Sequence, residues 1–150
     1  MKEFETVNDI LDFAIDAEQE AVDFYTDLAG RSENEAMSEV FKEFADEERG
    51  HKARLLKIKE TEAYEFREEK VTDLHIADYM IKVDVTPEMS YKDALILAMK
   101  REKYAYKLYS NLSKIAPPNL QKVFLVLAQE EAKHKLRFEI EYDEYVLREN

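Results

Sequence analysis

Cysteine is absent from the 150 residues. That excludes disulfides, thiolate catalysis, iron–sulfur clusters and cysteine-based zinc sites together, so any metal must be held by Glu, Asp or His. With only 2 Gly and 3 Pro, the chain offers few places for tight β-turns. No uninterrupted apolar run approaches membrane length, and the opening MKEFETVNDI lacks a basic segment followed by an apolar one. The expectation is a soluble, cytoplasmic protein with no membrane partner. Positive charge is also short: 22 Lys and Arg stand against 34 Asp and Glu, a formal charge of -12. Such a field repels phosphate backbones and draws in cations, which argues against nucleic acid as a partner.

What is present favours long helices: 37% charged beside 45% hydrophobic residues in a length suited to one domain. The spacing predicts an all-α antiparallel four-helix bundle. A first helix over about 7–29 carries Val7, Leu11, Ala14, Ala21, Tyr25 and Leu28 in alternating steps of four and three, and Gly30 reads as its stop. Ser32 and Glu35 have capping-box spacing for a second helix over about 33–66, with Met37, Phe41, Phe44, Leu55 and Ile58 on its seam. So short a connection makes the pair antiparallel neighbours. Residues 67–90 read as a long crossover in which Pro87 breaks any helix. A third helix over about 91–115 takes Tyr91, Leu95, Ala98, Ala105, Tyr109 and Leu112. A fourth, over about 118–147, starts at Pro118 and takes Leu120, Phe124, Leu127, Phe138 and Tyr145.

The two halves repeat. Glu18 and Tyr25 recur as Glu102 and Tyr109 at an offset of 84, and Phe41, Glu48 and His51 recur as Phe124, Glu131 and His134 at an offset of 83. This implies two equivalent helix hairpins rather than a solenoid. Each seam has gaps, filled by Glu18, by Glu48 and His51, by Glu102, and by Glu131 and His134. At 1.5 Å per residue, Glu18 and Glu48 both lie roughly 16–22 Å from the first connection, and Glu102 and Glu131 about 20 Å from the proline turn. All six can meet at mid-bundle.

Four unpaired carboxylates in a core would each cost several kcal/mol and repel one another. No seam position supplies Lys or Arg. Two divalent ions balance four carboxylates, and two neutral imidazoles complete mixed oxygen and nitrogen ligand sets. Glu18, Glu48, His51, Glu102, Glu131 and His134 are therefore the expected metal ligands. A single Glu-x-x-His in a Glu-rich helix would be read as a solvated face; two copies, both on seams and each preceded about thirty residues earlier by a seam Glu, would not.

The stretches AEQEAVDFYTDLA, FKEFADEERGHKARLL, AMKREKYAYKLY and FLVLAQEEAKHKLRFE resemble the four ligand-bearing helices of the ferritin-like superfamily, and within it the rubrerythrin family. One Glu from each of two helices and Glu-x-x-His from the other two is a known arrangement for dinuclear sites in bundles. The resemblance implies two iron ions bridged by Glu48 and Glu131, with Glu18 and His51 completing one position and Glu102 and His134 the other; Mn or Zn accept similar ligands. It implies an oxidoreductase that reduces hydrogen peroxide or reacts with dioxygen, and a homodimer whose crossover exchanges between chains. Where rubrerythrins usually carry a further carboxylate one turn after the third-helix ligand, this chain has Ala105, matching Ala21 in the first helix. The cysteine-bearing rubredoxin domain of that family has no counterpart in these 150 residues, so the resemblance implies a separate electron-donor protein as partner. Two other readings stand beside this one: a ferroxidase or iron-handling protein, and a non-enzymatic interaction bundle whose metal is structural or missing.

Tyr25 and Tyr109 lie two turns beyond Glu18 and Glu102, where a phenol either contacts a ligand carboxylate or a bound peroxide, or is an ordinary core aromatic. His75 has no repeat partner and reads as a loop histidine. Glu47 and Glu130 point about 100° away from the neighbouring ligands and read as solvated, as does the run Glu65, Arg67, Glu68, Glu69, Lys70.

Overall fold

The computed structural model describes residues 4, 6–61, 74–80, 86 and 88–149, and within them the chain forms four long α-helices joined in the expected order. The first, α1 (Val7–Arg31), begins with a capping box: the Thr6 hydroxyl accepts from the Asp9 N–H at 3.1 Å and the Asp9 carboxylate accepts from the Thr6 N–H at 3.0 Å. It does not stop at Gly30. The helix runs through to Arg31 because that side chain anchors the last turn, bonding Asp27 at 2.7 Å, the Met89 carbonyl at 2.5 Å and the Thr86 carbonyl at 3.1 Å.

The second helix, α2 (Glu35–Thr61), starts later than the Ser32 signal implied. Asn34 is its cap: Oδ1 accepts from Ala36 N–H at 2.9 Å and Met37 N–H at 3.2 Å, while Ser32 closes α1 through its backbone and accepts from Asn34 N–H at 3.3 Å. Two functions were spread over three residues, and Asn is the better cap beside the helix start. Replacing Asn34 with Ala is expected to cost about 1 kcal/mol in a urea unfolding series. The 62–66 end expected for this helix, the 65–70 charged run and Pro87 lie outside the described residues. The crossover's described part includes a short 3₁₀ turn, Ile76–Asp78.

The third helix, α3 (Tyr91–Ile115), has the expected bounds, with the Ser90 hydroxyl accepting from Asp93 N–H at 3.1 Å. The fourth, α4 (Pro118–Glu149), begins at Pro118, whose missing N–H is harmless in a first turn. One core cluster joins the start of α1, the end of α2, the end of α3 and the start of α4; it contains Leu11, Ile58, Leu112 and Phe124. The other joins the opposite ends and contains Leu28, Phe41, Leu95 and Phe138. Hence α1 is antiparallel to α2 and to α3, and α3 to α4, as a long crossover between α2 and α3 requires. The packing is close within the α1/α2 and α3/α4 hairpins and much sparser between α1 and α3.

Of the expected seam residues Phe44, Tyr91, Ala105 and Tyr145 are half-buried rather than buried. Ala45, rather than Phe44, fills the buried place on α2; Phe44 is half-buried and stacks on His134 with ring centroids 4.0 Å apart. Glu141 on α4 is buried in a position the sequence did not single out, accepting from the Tyr91 hydroxyl at 2.8 Å with Arg148 3.5 Å away. Among the described residues no helix is long and apolar enough to cross a membrane.

Candidate metal centre

Between the two apolar clusters the helices bring together all six residues singled out from the seams. Glu18 comes from α1, Glu48 and His51 from α2, Glu102 from α3, and Glu131 and His134 from α4. None exposes more than 5% of its surface. Spacing explains the convergence: i and i+3 lie on one helix face, so Glu48 with His51, and Glu131 with His134, enter the core side by side.

Their atoms form two groups, each with its donors within 4.8 Å of one another: Glu18, Glu48, His51 and Glu131, and then Glu48, Glu102, Glu131 and His134. Glu48 and Glu131 belong to both. His51 Nδ1 lies 3.2 Å from Glu48, 3.3 Å from Glu131 and 3.5 Å from Glu18. His134 Nδ1 lies 3.6 Å from Glu48 and 3.7 Å from both Glu102 and Glu131.

Every one of the six keeps one buried atom without a hydrogen-bond partner: Oε2 of Glu18 and Glu102, Oε1 of Glu48 and Glu131, and Nδ1 of both histidines. Buried polar atoms in proteins are nearly always satisfied, so six unpartnered donor atoms drawn together here suit cations as their partners. Among the described residues no Lys or Arg lies within ion-pairing distance of the four carboxylates. Two divalent ions fit this donor set in charge, in ligand type and in number.

The electrostatics agree. Burial, reinforced by the Glu131 charge, raises Glu18 from 4.5 to about 7. Burial also lifts Glu48 and Glu102 well above the carboxylate range, with the charges of Glu131 and Glu18 adding to it. Burial pushes Glu131 the same way, but the polar groups of His51 and Glu48 beside it outweigh burial and leave this carboxylate lowered. For His51, burial disfavours the cation, yet the carboxylates of Glu131, Glu18 and Glu48 win and raise it strongly. Without metal, protons take the place of cations in holding the cluster together.

A surrounding layer crosses between the hairpins. Tyr25 on α1 donates to Glu102 on α3, and Tyr109 on α3 donates to Glu18 on α1 at 2.5 Å. Each phenol therefore serves the carboxylate of the other half, a pairing that one-helix spacing could not show. Glu47 and Glu130 correct the sequence reading: they are not simply solvated. Glu130 bonds His51 Nε2 and Glu47 bonds His134 Nε2, although the two carboxylates stay 40% and 53% exposed. A neutral imidazole that donates Nε2–H outward to a carboxylate presents the Nδ1 lone pair inward, where a metal needs it. The repeat itself carried this signal, since Glu47 and Glu130 are equivalent positions; what it lacked was the partner, which lies on another helix. Glu47→Ala and Glu130→Ala are each expected to weaken metal binding about 10–100-fold in chelator competition while leaving the fold intact. His75 is half-buried and belongs to neither group.

The sequence matches the Rubrerythrin family over residues 9–87 and 93–150. Among solved structures, a Thermotoga maritima protein described as ferritin-like and diiron-carboxylate is similar with a TM-score of 0.79 and 25% identity, over 97% of this chain and 99% of that one. A hypothetical protein from Pyrococcus furiosus is similar with a TM-score of 0.72 and 26% identity, over 92% of this chain and 89% of that one. Among curated proteins none matches. With its ferritin-like four-helix bundle and buried Glu and His cluster, the chain belongs to the rubrerythrin family.

Proposed function

We propose that the protein is a non-haem diiron oxidoreductase that reduces hydrogen peroxide, or reacts with dioxygen, using electrons from a separate electron-donor protein. The observation that carries this reading is the convergence of six orphaned donor atoms in two groups that share Glu48 and Glu131. Glu18 and His51 would hold one iron, Glu102 and His134 the other, and the two shared carboxylates would bridge them. A metal pair so held supplies two electrons to one oxidant without releasing a radical. Tyr25 and Tyr109 fix the terminal carboxylates and place a hydroxyl proton beside each. The test is stopped-flow absorbance of the iron-loaded, chemically reduced protein: stoichiometric peroxide should oxidise it within a single turnover. Protein that stays reduced in peroxide and in air sinks the proposal.

A second reading, ferroxidase or iron handling, draws on Asp16 and Glu20, which line the cavity beside the cluster and would attract Fe²⁺. It requires repeated oxidation of added Fe²⁺ and more than two irons retained per chain. The homodimer is likewise proposed, supported by Leu125, Leu136, Ile140 and Leu147, all exposed on the outer side of α4. At 100° per residue they fall within an arc of about 60°. Analytical ultracentrifugation, with a Leu136→Glu, Ile140→Glu variant expected to dissociate, checks this.

A further inference from the structure

We propose that the cavity between α1 and α3 binds an uncharged organic hydroperoxide with a compact hydrocarbon body; this rests on the peroxide-reducing reading above and names a substrate class for the same site. The cavity measures about 380 Å³. That is within the span of pockets that take small organic molecules, about 300–1,000 Å³, whereas a water occupies only about 30 Å³ of liquid. Two ions held by the four carboxylates would take part of it, and hydrogen peroxide would not fill the remainder beside Phe13, Ala17, Ala105 and Leu108.

The cavity reaches the cluster from one side only. All four carboxylates, Glu18, Glu48, Glu102 and Glu131, line it, and neither histidine does. His134 faces a separate recess on the α2/α4 side with Glu47, Glu130 and Phe44. A molecule in the cavity between α1 and α3 thus meets the oxygen-bearing face of the site, while His134 with Glu47 and Glu130 faces the recess on the other side.

Space exists there because the two hairpins pack far more sparsely on each other than within themselves and because short side chains face each other across it. Ala17 and Ala21 on α1 and Ala105 on α3 leave the room, and Phe13, Leu108 and Tyr104 supply an apolar wall. Ala21 and Ala105 sit one turn past Glu18 and Glu102, so a hydrocarbon body would lie against them with its peroxide group toward the carboxylates. Charge selects against anions. Arg101 is the cation of the lining, 3.4 Å from Glu20 and over the Phe24 ring at 5.3 Å with its buried Nε unbonded, and the anions Asp16 and Glu20 outnumber it. A carboxylate- or phosphate-bearing substrate would be repelled; a neutral one would not. The net change is reduction of the O–O bond: one hydroperoxide, two electrons from the electron-donor protein and two protons from solvent give one alcohol and one water.

The experiment has two arms. Ligand-observed NMR on the full-length, zinc-loaded chain uses 2-phenyl-2-propanol, the alcohol left by cumene hydroperoxide. Binding is expected in the parent protein and loss of binding in Ala105→Leu. Stopped-flow oxidation of the reduced, iron-loaded protein then compares cumene hydroperoxide with hydrogen peroxide; the ratio of their rates should fall at least tenfold in Ala105→Leu. Ala17→Leu, from the opposite wall, repeats both measurements should the first variant fold poorly. If hydrogen peroxide oxidises the protein but cumene hydroperoxide does not, or if the alcohol fails to bind, or if filling the cavity leaves the rate ratio unchanged, this inference is overturned and the peroxide reading stands. If neither peroxide oxidises it, both fall together.

Discussion

Glu131→Ala is expected to abolish tight metal binding altogether, whereas Glu18→Ala leaves one ion per chain. The difference follows from membership: Glu131 belongs to both donor groups and Glu18 to one. Removing Glu131 leaves each group three donors and removes the one carboxylate whose pKa the cluster lowers, the anion on which the others lean. Glu48→Ala should behave like Glu131→Ala, and Glu102→Ala like Glu18→Ala. The two apolar clusters on either side of the site are untouched by these truncations, so the metal-free chain is expected to keep its fold, with Glu131→Ala the least stable of the four because it removes the anion that His51 faces. Metal content per chain after anaerobic reconstitution, measured by mass spectrometry with circular dichroism as the folding control, checks the order. Equal metal loss from Glu18→Ala and Glu131→Ala would mean that the two groups do not share carboxylates.

The second large effect is an opposite response to pH with and without metal. In the metal-free protein Glu18, Glu48 and Glu102 have folded pKa values raised above the unfolded value, first by burial and then by neighbouring carboxylate charge. The folded state then holds protons that the unfolded chain releases, so the stabilisation is complete below about pH 4.5 and is lost as pH rises, through about 7 for Glu18. That group alone contributes of the order of 3 kcal/mol across this window. His51, raised by its carboxylate neighbours, acts in the same direction: its contribution is present below 6.5 and lost as pH rises through the folded value. Glu131 is lowered and opposes them, contributing above 4.5 and losing that as pH falls. The sum makes chelated protein melt at a lower temperature at pH 8 than at pH 5. With metal the order reverses, because ligands must shed protons to bind. Metal at a thousand times its dissociation constant adds about 4 kcal/mol. Calorimetric melts at both pH values, with and without chelator, decide it; parallel curves would show that the cluster is not the metal site.

The six cluster residues were legible in the sequence because two regularities coincide. A bundle seam advances in steps of three and four, so a polar residue on it is visible as an intrusion among apolar ones, and the duplicated hairpin shows each intrusion twice. Helix order follows from the periodicity, the antiparallel hairpins from the short connections, and the site's height from rise per residue. Helix ends were less legible: Arg31 carries α1 past Gly30 through bonds to Met89 and Thr86 in another segment, and Asn34 takes the α2 cap for which Ser32 also had suitable spacing.

Everything that depends on one helix facing another was decided only in the tertiary structure. Periodicity places a side chain on a face but not opposite a partner. The crossed bonds of Tyr25 to Glu102 and Tyr109 to Glu18, the outward clasp of Glu130 on His51 and Glu47 on His134, and the bond of half-buried Tyr91 to buried Glu141 are all of this kind. So is the cavity between α1 and α3, whose volume is set by how far two helices stand apart. Sequence determined which groups enter the core and at what height, since a helix fixes those internally; the packing of helix on helix determined what they touch.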